Sequence, residues 1–148
     1  MKKTLVALSL GAGALLSATS ATAAEHVVKM LNFGKDGSMV FEPAYLNVAV
    51  GDTVVFEPTN SGHHVRSLSI PEGVEAFKSP LDEKFTLKIE KEGLYFYDCP
   101  PHLMMAMIGL IQAGKPVNRD AVEKSMKQNR GRMMSNGKRV DALQQAIR

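Results

Sequence analysis

Cysteine is nearly absent from this 148-residue chain, where Cys99 stands alone. No internal disulfide can form, and an odd cysteine in an exported chain calls for another role. Metal ligation is one, because a bound thiolate is protected from random pairing; an intermolecular disulfide is the other. Long apolar runs are also missing. The run over residues 5–16 is short and broken by Gly and Ser, and no other stretch could cross a bilayer. There is no internal repeat. No oxyanion motif and no orienting Asp or Asn accompanies Cys99, which argues against a nucleophilic enzyme.

What is present begins with an export signal. Lys2 and Lys3 precede the short apolar run, and Ala21-Thr22-Ala23 forms a small-residue cleavage site. Residues 1–23 therefore read as a secretory signal peptide of bacterial style, with the periplasm as the expected address. Residues 24–148 fit one domain, long enough to bury a real core. The whole chain carries a net charge of +3, and removing Lys2 and Lys3 leaves +1. The charge is uneven: residues 24–114 hold seven Lys/Arg against twelve Asp/Glu, and residues 115–148 hold nine against three. In an exported chain the basic tail reads as a solvated helical face, not a nucleic-acid contact.

The body of the chain reads as short strands. Apolar alternation or β-branched content marks residues 25–31, 45–50, 53–57, 67–70, 85–90, 94–98 and 107–111. Residues 39–43 lead into the second of these. Gly, Pro and Asn/Asp clusters separate them, and residues 71–79 have room for a short helical turn. Turn signals every eight to twelve residues predict an all-β sandwich or barrel of antiparallel type. Past Gly114 the pattern changes. Asn118 is a candidate N-cap, with Val122 and Met126 four apart, and a second helix is expected over residues 136–147 with Val140, Leu143 and Ile147 on one face.

The chemistry concentrates at Cys99-Pro100-Pro101-His102-Leu103-Met104-Met105-Ala106-Met107. A lone Cys is often just a small buried hydrophobe, and Met a core filler. Cys, His and Met together on one loop make a rarer set. A thiolate, two imidazoles and a weak thioether form the ligand set of a blue-copper electron-transfer site. The second imidazole must come from His63 or His64, since His26 lies at a frayed strand start and reads as an exposed polar residue. Alternation points His63 and His64 to opposite sides, and Met105 and Met107 share one parity, so spacing leaves both choices open. Pro100 and Pro101 fix φ and stiffen the loop.

These residues resemble the cupredoxins and, within them, the pseudoazurin group. The matching stretches are Met39-Val40-Phe41-Glu42-Pro43-Ala44-Tyr45, Gly51-Asp52-Thr53-Val54, Gly62-His63, Pro71-Glu72-Gly73, Phe77-Lys78-Ser79, Cys99 with Pro101-His102, and residues 105–110. The resemblance runs to about Gly114 and more loosely through the helical extension over residues 117–148. It implies an eight-stranded Greek-key β-sandwich with two C-terminal α-helices. It implies one copper per chain, held by His63, Cys99, His102 and the axial Met107, with Met105 and Met39 packing nearby. It implies a one-electron carrier with no catalytic residues; the domain's size suggests a monomer, and the export signal and lack of long apolar runs argue against nucleic-acid binding and membrane insertion. The electrons would come from a cytochrome and pass to nitrite reductase or another denitrification reductase in the periplasm, through the exposed edge of His102.

Two departures from the family pattern stand out. His64 occupies the place of the usual Asn, whose side chain ties the two ligand loops together. Phe33, Ser61 and Asp98 stand where docking lysines are usual, leaving Lys78 and Lys35. Complementary charge mainly raises the association rate, so docking here is expected to depend little on salt. A copper-delivery protein would share the soft ligands but needs an open site, against which the proline-stiffened loop argues. Zinc also binds such His/Cys sets.

Overall fold

The computed structural model describes residues 22–148. Apart from Thr22 and Ala23, the leader expected over residues 1–23 lies outside the described residues. Eight strands precede two helices: β1 (Glu25–Gly34), β2 (Gly37–Glu42), β3 (Tyr45–Val48), β4 (Thr53–Pro58), β5 (Arg66–Ser69), β6 (Phe85–Lys88), β7 (Gly93–Asp98), β8 (Ile108–Ala113), α1 (Arg119–Arg130) and α2 (Lys138–Ala146). They build two four-stranded sheets, ordered β2-β1-β4-β6 and β3-β8-β7-β5. This is the cupredoxin Greek-key sandwich with two C-terminal helices.

The expected lead-in over residues 39–43 is instead a strand of its own up to Glu42, within β2. Pro43 has no N–H to continue a ladder, and the chain leaves the first sheet there to enter the second as β3. Nor is the pairing wholly antiparallel. β1 runs parallel to β4 and β3 parallel to β8, whereas β1–β2, β4–β6, β5–β7 and β7–β8 are antiparallel. Alternation along one strand fixes which face is buried, but not which strand lies alongside or in which direction. The helical turn anticipated over residues 71–79 is replaced by a tight turn and by a bridge from Lys78 to Arg66.

Alternation in β7 divides two cores. Tyr95 and Tyr97 point between the sheets, where Tyr97 meets Phe41 edge-on at 4.9 Å and Phe56 at 5.0 Å between ring centroids. Leu94 and Phe96 point outward under the helices, against Val122, Met126, Val140 and Leu143. Both β7 and β8 are buried along their whole length. Gly109 of β8 lies opposite Tyr97, and a Cβ there would collide with the Tyr97 ring. Val122 and Met126 are fully buried, each worth roughly 1.5–3 kcal/mol of apolar transfer. Helix α1 is fastened at its start by Asn118, though not as the expected side-chain cap. Its amide instead accepts from the Leu94 N–H at 2.7 Å and donates to the Leu94 carbonyl at 2.9 Å.

At the opposite edge of the sandwich, His26 is not a free surface residue. Its ring is half-buried and lies 2.8 Å from Asp52, whose carboxylate also accepts from the Ala24 N–H at 2.9 Å and the Ala49 N–H at 3.0 Å. The His26 bond first, then these two amides, holds the Asp52 carboxyl at about 2, below its ordinary 3.8. Because the folded value is the lower one, its stabilisation is complete above pH ~4 and is lost as pH falls toward 2. Denaturant unfolding of Asp52→Asn beside the parent chain should show a clear stability gap at pH 6 that narrows steadily below pH ~4. A gap that stays constant with pH would rule out the carboxylate as its source.

Candidate metal centre

The loop between β7 and β8 is folded by its own backbone. Pro100 and Pro101 open a 3-10 turn, Pro100–Met105, where a first turn has no use for their missing N–H groups. The His102 N–H donates to the Cys99 carbonyl at 2.9 Å, and the Ala106 N–H to the Leu103 carbonyl at 2.9 Å. Ala106 then adopts the left-handed conformation, φ 55°, and turns Met107 inward. The Cys99 N–H closes the loop on the Met107 carbonyl at 3.0 Å. This path carries His102 back over Cys99, with Nδ1 3.4 Å from Sγ.

The second imidazole arrives from the loop after β4. Gly62 takes φ +92°, which a side chain would strain. The Asp82 carboxylate accepts the N–H groups of Gly62 at 2.6 Å and His63 at 3.1 Å. His63 is thereby placed with Nδ1 3.7 Å from the Cys99 sulfur, its ring 4.9 Å from that of His102. His63 Nε2 donates to Asn32 Oδ1 at 2.9 Å, and Asn60 Oδ1 accepts the Asn32 N–H. That contact fixes the tautomer, leaving the Nδ1 lone pair facing the sulfur.

Ligating atoms of His63, Cys99 and His102 all lie within 4.8 Å of one another, the one such cluster of His, Cys, Asp and Glu among the described residues. Met107 is fully buried in the same core cluster as Cys99, while Met105 is only half-buried. His64 is buried too, but its ring turns to the Ser79 carbonyl at 3.3 Å, away from the thiol. Burial pushes the Cys99 thiol up to about 11, although the N–H groups of His64 and His102 pull it down. Burial also lowers both imidazoles, which keeps them neutral and available as ligands. A soft sulfur beside two neutral nitrogens, desolvated and already converged, fits copper.

Asp98 is not at a surface rim. It is buried, and Arg66 on the neighbouring strand donates Nε and Nη2 to its two oxygens at 3.0 and 2.7 Å. Sequence reasoning also missed Asn32, Asn60 and Asp82. Asn60 and Asp82 sit in polar turns and Asn32 near the end of β1, and only a distant partner distinguishes each from an ordinary polar residue.

Residues 28–114 match the family model of copper binding proteins of the plastocyanin/azurin family. The chain is 46% identical over 132 residues to the pseudoazurin of Paracoccus pantotrophus, covering 85% of this chain and 91% of that one. Among solved structures, the pseudoazurin of Methylobacterium extorquens AM1 superposes with a TM-score of 0.73 at 35% identity, covering 84% of this chain and 99% of that one. Native pseudoazurin from Hyphomicrobium denitrificans gives 0.63 at 42% identity, covering 70% and 83%. With one His-Cys-His cluster inside a cupredoxin sandwich, the chain belongs to the plastocyanin/azurin family of copper-binding proteins, among the pseudoazurins, and is a one-electron carrier with a type 1 copper site rather than an enzyme.

Proposed function

We propose that His63, Cys99 and His102 hold the copper, that Met107 is its weak axial ligand, and that the domain over residues 24–148 works in the periplasm once residues 1–23 are cleaved. The observation that carries this reading is the convergence of two imidazole Nδ1 atoms on one buried thiol within 4.8 Å. Bound copper supplies the one-electron couple between Cu(II) and Cu(I). The chain's part is to hold the ligands still while the charge changes. Pro100 and Pro101 stiffen the loop, Asn32 fixes the His63 ring, and the His64 N–H faces the sulfur. His102 is the half-exposed ligand, so its ring edge is the short route to a partner. Met104 and Phe33 are exposed apolar side chains that support brief docking. A cytochrome donor and a nitrite reductase or other denitrification reductase as acceptor suit this role, with the carrier acting as a monomer. Four protein ligands leave no open position for substrate or for handing the metal on, which disfavours copper delivery.

Adding Cu(II) should produce an intense blue or green thiolate-to-copper band that ascorbate bleaches and reoxidation restores, and Cys99→Ser should lose it. A colourless wild-type protein would overturn the reading. Asn32→Ala should weaken copper binding about 10- to 100-fold in a chelator competition; an undiminished affinity would remove Asn32 from ligand support. Phe33 and Ser61 are exposed and uncharged, and Asp98 is neutralised by Arg66. Stopped-flow reduction of a copper nitrite reductase should therefore slow only slightly as salt is raised through the physiological range, whereas a steep decline would reveal charge steering.

A further inference from the structure

Among the described residues, four that are not glycine have positive φ: Met39, Asp82, Ala106 and Asn136. Left-handed backbone is disfavoured for residues with a Cβ, and it persists where surrounding structure over-determines it. Asp82 carries the His63 loop, as described above. The other three share one network. Arg139 of α2 donates Nη1 to the carbonyls of Met39 at 3.0 Å, Met105 at 3.1 Å and Ala106 at 3.2 Å. Its Nη2 donates to the carbonyls of Asp36 at 2.8 Å and Ser38 at 2.9 Å. Asn136 adds a bond from Nδ2 to the Met105 carbonyl at 3.2 Å. The N–H groups of Met134 and Ser135 both reach the Met104 carbonyl, at 2.8 and 3.2 Å.

Every carbonyl from Met104 to Ala106 is thus bound by the connection between the helices or by the first turn of α2. The end of a helical turn leaves its last carbonyls without helical partners, and of these three only the Ala106 carbonyl has a partner within its own loop, the Ile108 N–H at 3.1 Å. Alongside lies a cleft of about 530 Å³ whose walls include Val40, Phe41, Ala44, Ile108 and Leu143. At this point helix and loop are linked by hydrogen bonds, while Leu103 of the loop lies in the same core cluster as Val140 and Leu143. A planar fork with several donors is suited to meeting carbonyls from two separate turns at once.

We propose that Arg139 is a positioning residue for the copper loop. It holds Met39 and Ala106 in their left-handed conformations, so that Met107 and the His102 edge are presented in fixed places. The helical extension then acts as a brace for the redox site as well as a cover for the outer sheet. This rests on the assignment of Met107 and His102 as ligands.

Arg139→Met keeps the apolar stem and removes all five donors. Met126→Ala is the control, a core truncation in α1 that touches no loop carbonyl. In the metal-free proteins, amide exchange at Ala106 and Met107 should accelerate at least tenfold in Arg139→Met beyond any change in Met126→Ala. In the copper-loaded proteins, Arg139→Met should alter the ratio of the thiolate-to-copper bands and shift the reduction potential, whereas Met126→Ala leaves both unchanged. Arg139→Lys, which keeps the charge without the fork, should restore part of each effect. Should Arg139→Met not fold, Asn136→Gly removes one bond to the Met105 carbonyl without opposing its positive φ, and should accelerate exchange at Ala106 and Met107. Unaltered exchange and band ratio, or equal changes in the control, would overturn the proposal. The exchange measurement needs no metal, so it stands apart from failure of the ligand assignment.

Discussion

One hydrogen bond, from the Cys99 N–H to the Met107 carbonyl, closes the loop on which the site depends. Its net worth is about 1 kcal/mol, like any other. Its importance is geometric, since it extends the β7–β8 ladder to the point where the ligands begin. That ladder is covered on one side by the sandwich core and on the other by the helices. A slip of one residue would turn Tyr97 into the helical layer and Leu94 into the aromatic core. Gly109 adds a steric check, because only its missing side chain leaves space for the Tyr97 ring. The thiol and the loop that returns to it therefore inherit the precision of the most deeply buried strand pair.

Electrostatics follow from the same burial. Desolvation raises the thiol and lowers both imidazoles, so burial favours the neutral form of each. Folding then buries no uncompensated charge at the ligand cluster, which would be costly in a dry interior. The two nearby carboxylates are each engaged. Asp98 meets a two-point partner in Arg66, and Asp82 receives backbone N–H groups. The three side chains are thus converged without a metal, and a metal held by them would take the place of the thiol proton.

Much of this was legible in the chain. The alternation Leu94-Tyr95-Phe96-Tyr97 assigned two faces that the two cores occupy, and Val122, Met126, Val140 and Leu143 fell on the buried stripes. Cys99 and His102 stand three apart, and one helical turn carries the second side chain back over the first, so their proximity was local and readable. His63 and His64 could not be separated by spacing, because the choice depends on Gly62, Asp82 and Asn32 acting together. What stayed hidden was contact at long range. Arg139 looked like one more cation on a solvated basic face, yet its Nη2 lies beside a carbonyl 103 residues earlier. Asp98 looked like a strand-end surface charge until β5 brought Arg66 across to it. The parallel partners of β1 and β8 were invisible for the same reason.

The direction of β1 has a mechanical consequence. β1 runs parallel to β4, so its far end, at Asn32, reaches the His63 ring, while its near end, at Ala24, is tied to Asp52. Eight residues of extended chain separate the two, a span of about 26 Å. One extended strand therefore moors the start of the folded domain at Asp52 and steadies the His63 ring at its other end, so the two polar ties share a single β1–β4 ladder.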